Sequence, residues 1–399
     1  MCYAKDIVKP SSVLWSLLGS IALVACGGTP ADTPAPAPSA SAPPASPSPA
    51  PDADAPKPTT DAACDTFATE LQRGLDGERE RQKAKHATVG TWSERCGTRV
   101  FVSSASDQTP VTSASLWRMG SVTKTYVAVA TLRYVERGLL SLEDPLAKWF
   151  PSFPKADVIT VRHLLNHLSG IYNYTLAPEM ADAMSGDISR KYTPEELIAW
   201  AKAQPFTNEP GASFSYSNTN YIFLGRILEL VGNATVAEIL GKETLAPAKL
   251  GTTFLDGSQA VRGDLAPGFA GSSNVTQTFN LSLAWTAGAM VADPQDMLAW
   301  LRALHIDQTL LSAQSHAAMV QPFKNAGYGL GAIVLSKQVT AGAGPGVGHD
   351  GSIPGYQTQA FAFPETKFAV VSIVGKSGGD PNELSLVAIK AAATLRRAP

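Results

Sequence analysis

Strand-like runs stand near both ends of this chain and a long helical stretch lies between them, so one sheet must be assembled from both ends. The early runs are 87–92 and 98–103, turned around Cys96-Gly97; the late ones are 329–335, 357–363 and 368–374. From about 145 to 270 the signals are helical, at 160–166, 193–204, 220–232 and 236–245. Two of these open on capping boxes, Thr193 with Glu196 and Thr235 with Glu238, and Pro194 takes the first helical position. Further helices are expected at 65–85, 122–137, 294–304 and 381–395. The expected class is α+β, with an α/β part at about 61–144 and 271–399 and a mostly helical part inserted at about 145–270. No internal repeat is visible.

The first 60 residues have a different composition. Lys5 and Lys9 precede an apolar run from Val13 to Ala25, which reads as an export signal over 1–25. That run is short of the roughly 20 residues of a membrane span. Leu23-Val-Ala-Cys26 followed by Gly27 resembles the lipobox of bacterial lipoproteins, which makes Cys26 the expected lipidation site; an ordinary cleaved signal is the alternative. Residues 26–60 are dominated by Pro, Ala and Ser and read as an extended tether for a cell-envelope lipoprotein facing the periplasm or cell surface. Of the remaining cysteines, Cys64 and Cys96 are candidates for a disulfide in an exported chain, with two free thiols as the alternative. A formal charge of -2 carries no basic excess, which argues against nucleic acid as a partner.

Chemistry starts from Ser121-Val-Thr-Lys124. On a helix these two residues lie one above the other on the same face. A serine hydroxyl needs a base, and a lysine serves if burial leaves its amine neutral. The helix beginning there adds N–H groups suited to a developing oxyanion. Its apolar side is Ala128, Leu132 and Val135, with Tyr126, Ala130, Arg133 and Arg137 on the other, and Gly138 stops it. Alone, Ser-x-x-Lys is a weak pattern. A second cluster, Tyr216-Ser-Asn218, lies just before a helix; extended backbone there would project both side chains into one cleft. A third, Gly346-Val-Gly-His349-Asp350-Gly351-Ser352, lies before the 357–363 strand. Gly351 lacks a side chain and would let a substrate backbone approach, while His349 would hold a charge near the serine or pass a proton. His163 and His167 have metal-ligand spacing, but Leu164 stands where a zinc-protease pattern needs Glu, so both are read as structural. Neither metal nor cofactor is expected.

Together the three clusters resemble the serine β-lactamase and penicillin-binding family, with its Ser-x-x-Lys, Ser-Asp-Asn and Lys-Thr-Gly motifs, in the class C β-lactamase and DD-carboxypeptidase variant whose second motif is Tyr-x-Asn and whose third can begin with His. Gly138-Leu-Leu-Ser-Leu-Glu-Asp-Pro145, Leu164-Leu-Asn-His-Leu-Ser-Gly170 and Leu245-Ala-Pro-Ala-Lys-Leu-Gly251 add to the likeness, which covers about 62–396. It implies an antiparallel sheet flanked by helices and an acyl-enzyme on Ser121. It further implies Lys124 as base, Tyr216 as the group serving the leaving group and deacylating water, and Asn218 on the acyl-side amide. N–H groups of Ser121 and Ser352 would form the oxyanion hole, with His349 and Gly351 lining the strand. The substrate would be a small molecule or peptide carrying an amide or ester. Asp350 is a departure: relatives have a threonine there that helps hold a substrate carboxylate, and an ionised aspartate would repel one unless a cation such as His349 intervenes. Esters or amides lacking that carboxylate are therefore the expected substrates. A non-catalytic sensor or binding lipoprotein that keeps the fold is the alternative.

Overall fold

The computed structural model describes residues 61–324 and 326–397. The export segment, the tether and Cys26 lie outside the described residues.

A six-stranded antiparallel sheet is the frame. Its strands are β1 (His86–Ser93), β2 (Gly97–Ser104), β3 (Ile333–Leu335), β4 (Gly346–Ile353), β5 (Tyr356–Phe363) and β6 (Phe368–Val374). Their spatial order is β2-β1-β6-β5-β4-β3, so the two chain ends meet where Ala87 to Ser93 of β1 pair with Phe368 to Val374 of β6. Side chains alternate across that sheet with period two. Val89, Val370 and Val374 face α1 (Ala62–Arg81) and the C-terminal α5 (Pro381–Arg397), packing on Phe67, Leu71 and Leu384. Ala369, Val371 and Ile373 face the larger core behind, where α4 (Pro294–Leu301) lies. Gly90 belongs to that side because a Cβ there would meet Leu298 Cδ1 at 2.9 Å. A small sheet of Trp117–Arg118, Met290–Ala292 and Phe254–Leu255 holds the start of the serine helix to the main body.

Three expectations change. The 329–335 strand shortens to Ile333–Leu335, because Gly329 tucks against the Met319 carbonyl and Gly331 takes φ +85. The third cluster is itself a strand, β4, which the strand-like runs of the sequence did not include. The serine helix α2 (Thr123–Glu136) is buried on nearly every side from Thr123 to Leu132, including Thr131 and Lys124, and so is a core helix without a solvent face over that length. Tyr126 stacks on Trp300 of α4 at 4.0 Å, and the Trp300 indole donates to Thr125 Oγ1.

Cys64 in α1 is bonded to Cys96 between β1 and β2, 32 residues away. Closing a loop of that size limits the unfolded chain by about 3–4 kcal/mol in the loop-entropy account. A Cys64→Ser/Cys96→Ser double variant is expected to lose about that much stability, read as a lower urea midpoint. No change in midpoint would show the link to be without consequence for folding.

Candidate active site

Gly120 begins the catalytic turn. Its φ of +52 suits glycine, and Gly120–Val122 forms a single 3-10 turn that runs into α2. Met119 N donates to Met290 O and Met290 N to Thr123 Oγ1, which ties the turn to the small sheet. Ser121 is thereby held half-exposed at the mouth of an otherwise buried helix.

One turn along, Lys124 is fully buried. Its Nζ lies 2.9 Å from Ser121 Oγ, 2.7 Å from Asn218 Oδ1 and 2.6 Å from the Ala287 carbonyl. Burial drives the lysine pKa well below its ordinary value, against a smaller opposing influence from the Asp350 charge. A neutral amine has two N–H groups and one lone pair. The Ala287 carbonyl can only accept, and so can Asn218 Oδ1, so both hydrogens are spent there. The lone pair is left facing Ser121, which is the orientation a base needs. The Ala287 carbonyl is a partner of the amine that residue-type reading could not find.

Tyr216 completes the group. Its hydroxyl donates to Ser121 Oγ at 3.0 Å, and burial raises its pKa well above the ordinary tyrosine value, so the resting group is a phenol. The resting chain is Tyr216 O–H to Ser121 O–H to Lys124 N, without a formal charge. Tyr216 and Asn218 do converge, although not through extended backbone: Asn218 has helical φ/ψ and leads into α3 (Thr219–Gly232). Convergence comes from outside the segment. Ser215 N donates to His167 O, Ser217 N to His167 Nδ1 and Asn218 N to Asn173 Oδ1. His167 is wholly buried at φ +59, its ring 4.2 Å from that of Tyr216. It positions the second cluster. His163 instead accepts from Thr160 N at a helix start, so the two histidines share no centre. Among the described residues no group of three or more His, Cys, Asp or Glu could hold a metal ion.

Strand β4 supplies the third wall. β3 pairs with it only at Gly346 to Gly348, leaving 349–353 a free edge beside the serine turn. The β4–β5 turn, Pro354-Gly355 with φ +86 at Gly355, makes Ile353 and Tyr356 the closing pair. Ladder bonds alternate outward from it, so the backbone groups of Ser352 and Asp350 point away from β5 toward the free edge. The Ser352 N–H thus faces the side where Ser121 stands. Gly351 does not leave open space for a substrate. A Cβ there would meet the Met119 carbonyl at 2.0 Å and Ser121 N at 3.1 Å, and one on Gly120 would meet Ser352 N at 2.8 Å. The two glycines let turn and strand touch backbone to backbone.

His349 forms no hydrogen bond to Ser121, Lys124 or Tyr216. Its Nδ1 donates to the Asp350 carbonyl at 2.5 Å, which leaves Nε2 to accept from Tyr328 O–H at 2.9 Å. Tyr328, buried against His167 and Phe214, was not singled out by any motif. It joins the third cluster to the packing behind the second.

A family model described as Beta-lactamase matches residues 32–393. The chain belongs to the β-lactamase family. Among β-lactamase-like relatives, a putative penicillin-binding protein of Bacillus subtilis is 29% identical over 218 residues, covering 53% of this chain and 52% of that protein. A D-aminopeptidase of Brucella anthropi is 26% identical over 286 residues, covering 68% and 52%. The chain thus spans about half the length of these curated relatives. A D-amino acid amidase from Ochrobactrum anthropi SV3, solved with L-phenylalanine amide, superposes with a TM-score of 0.75 at 25% identity, covering 83% of this chain and 99% of that one. The α+β sheet with its inserted helices is therefore the fold of this family.

Proposed function

We propose that this chain is a serine hydrolase that cleaves an ester or amide through an acyl-enzyme on Ser121. The single observation that carries the reading is the buried Lys124 amine, whose Nζ lies 2.9 Å from Ser121 Oγ with two acceptors, Asn218 Oδ1 and the Ala287 carbonyl, at 2.7 and 2.6 Å to take its hydrogens. Ser121 Oγ attacks the substrate carbonyl carbon as its proton passes to Lys124 Nζ. The oxygen of the carbonyl becomes an anion received by the N–H groups of Ser121 and Ser352, each worth roughly 3–4 kcal/mol of barrier. Collapse breaks the bond to the leaving group, whose oxygen or nitrogen takes the proton of Tyr216 O–H. Tyr216 is restored from the Lys124 ammonium through the site's hydrogen bonds. Deacylation runs the same steps with water as nucleophile. The Asn218 amide nitrogen, weakly engaged with Thr175 Oγ1 at 3.4 Å, turns to the acyl side of the substrate.

A fluorophosphonate tests the reading directly. It is expected to add covalently to Ser121 in the full chain and not to a Ser121→Ala variant, as seen by intact-mass spectrometry. In a substrate panel, acyl esters lacking a carboxylate should be turned over far better than a cephalosporin or a D-Ala-D-Ala peptide. Efficient cephalosporin hydrolysis would sink that preference, and absence of any Ser121 adduct would sink the enzyme.

A further inference from the structure

We infer that Asp350 selects substrates whose leaving group carries a cation, an ammonium or a guanidinium. The inference rests on the hydrolase reading above and narrows its substrate class. Asp350 shares a face of β4 with Ser352 and lies opposite His349 and Gly351. Its side chain keeps 18% of its surface exposed. Among the described residues no lysine or arginine forms an ion pair with it and no group donates a hydrogen bond to its carboxylate. The nearest titratable nitrogen, His349 Nδ1 at 3.5 Å, is committed to the Asp350 backbone carbonyl. Burial disfavours the charged form of both Lys124 and Tyr216, two further titratable groups of the site. Among the described residues the Asp350 carboxylate thus has no lysine or arginine to offset it.

Position assigns the end of the substrate it meets. Residues two apart on a strand are separated by roughly 7 Å. A carbonyl oxygen held at the Ser352 N–H therefore puts Asp350 several bonds along the substrate. His349, whose Nδ1 lies 3.5 Å from the Asp350 carboxylate, has its ring 6.5 Å from that of Tyr216, which puts Asp350 on the side of the group that serves the leaving atom. A cation on the leaving group would meet a half-buried carboxylate with free acceptor positions, a contact worth about tenfold or more in binding. A carboxylate on the leaving group would meet repulsion at the same place.

Two esters sharing one acyl group test this: a choline ester and its 3,3-dimethylbutyl isostere, which differ only in a charged nitrogen for a carbon. The full chain is expected to favour the choline ester by about tenfold in kcat/KM at low salt, through charge attraction alone because its nitrogen carries no N–H, the ratio shrinking as ionic strength rises. In Asp350→Asn the ratio should fall to near unity, and in Asp350→Lys it should invert. A wild-type ratio near one, or one that Asp350→Asn leaves unchanged, overturns the inference while the neutral ester still reports a working hydrolase. Should neither ester turn over and no fluorophosphonate label Ser121, the hydrolase reading fails first and carries this one with it. The wild-type ratio and its salt dependence need no variant, so a misfolded substitution does not shield the proposal.

Discussion

Lys124→Met is expected to lower kcat/KM toward a neutral ester by about 10²- to 10⁴-fold, the range over which a positioned base contributes, and to leave the protein folded. Methionine fills the volume of the buried aliphatic stem and removes an amine whose burial is itself unfavourable. Against that, Asn218 Oδ1 and the Ala287 carbonyl lose a donor, at a cost of roughly 1–3 kcal/mol each. The melting temperature and near-UV dichroism of the variant establish that the loss is chemical and not a loss of fold. The pH profile of the unmodified chain carries the same argument. Burial lowers the lysine pKa, so the amine is a base above that depressed value and kcat/KM falls as pH drops through it. Burial raises the tyrosine pKa, so the proton donor survives until pH exceeds the ordinary tyrosine range. A broad plateau should therefore run from well below the usual lysine pKa to above that of a free phenol. An acidic limb at about 10.5, the value of a solvated lysine, would show that burial does not hold the amine neutral in the working pH range.

How much of this was legible follows from what each atom contributes to a sequence pattern. Strands β1, β2, β5 and β6 are legible because each alternates or is apolar throughout, and the capped helix starts at Thr193 and Thr235 appear in the structure with both reciprocal bonds formed. β4 escapes because glycine, histidine and aspartate lack the branched content that marks a strand. Its glycines answer to neighbours distant in sequence: Gly348 lies against the Ala360 carbonyl and Gly351 against Met119. The serine and lysine spacing is local and so readable, whereas the lysine's orientation depends on a backbone carbonyl at Ala287 that no residue type announces. His167 is similar. Its place in the Leu-Ser-Gly turn is visible, but its hold on the Tyr216 loop is a contact across 50 residues. Tyr328 had only flanking glycines to mark it.

Gly351→Ala is expected to be nearly as damaging as loss of an oxyanion donor, lowering kcat/KM by about 10²- to 10³-fold. The added methyl would sit 2.0 Å from the Met119 carbonyl oxygen and 3.1 Å from Ser121 N, and neither is the movable end of a side chain. Relief requires β4 and the serine turn to part by about 1 Å, a displacement that costs roughly 1–3 kcal/mol as overpacking. That separation withdraws the Ser352 N–H from the carbonyl oxygen it should receive. The turn on the other side has no slack, since Gly120 is already in contact with Ser352 N. Gly77→Ala is the matched control: it lies in α1 with nothing within 4 Å, and should be neutral or slightly stabilising. The signature sought is a fall in kcat with Ser121 still reactive toward a fluorophosphonate, because the nucleophile and its base lie together on the 3-10 turn and the α2 helix it runs into, and not on the strand. Wild-type turnover in Gly351→Ala would mean that the strand and the serine turn are not held in register by this contact, and that the oxyanion is received elsewhere.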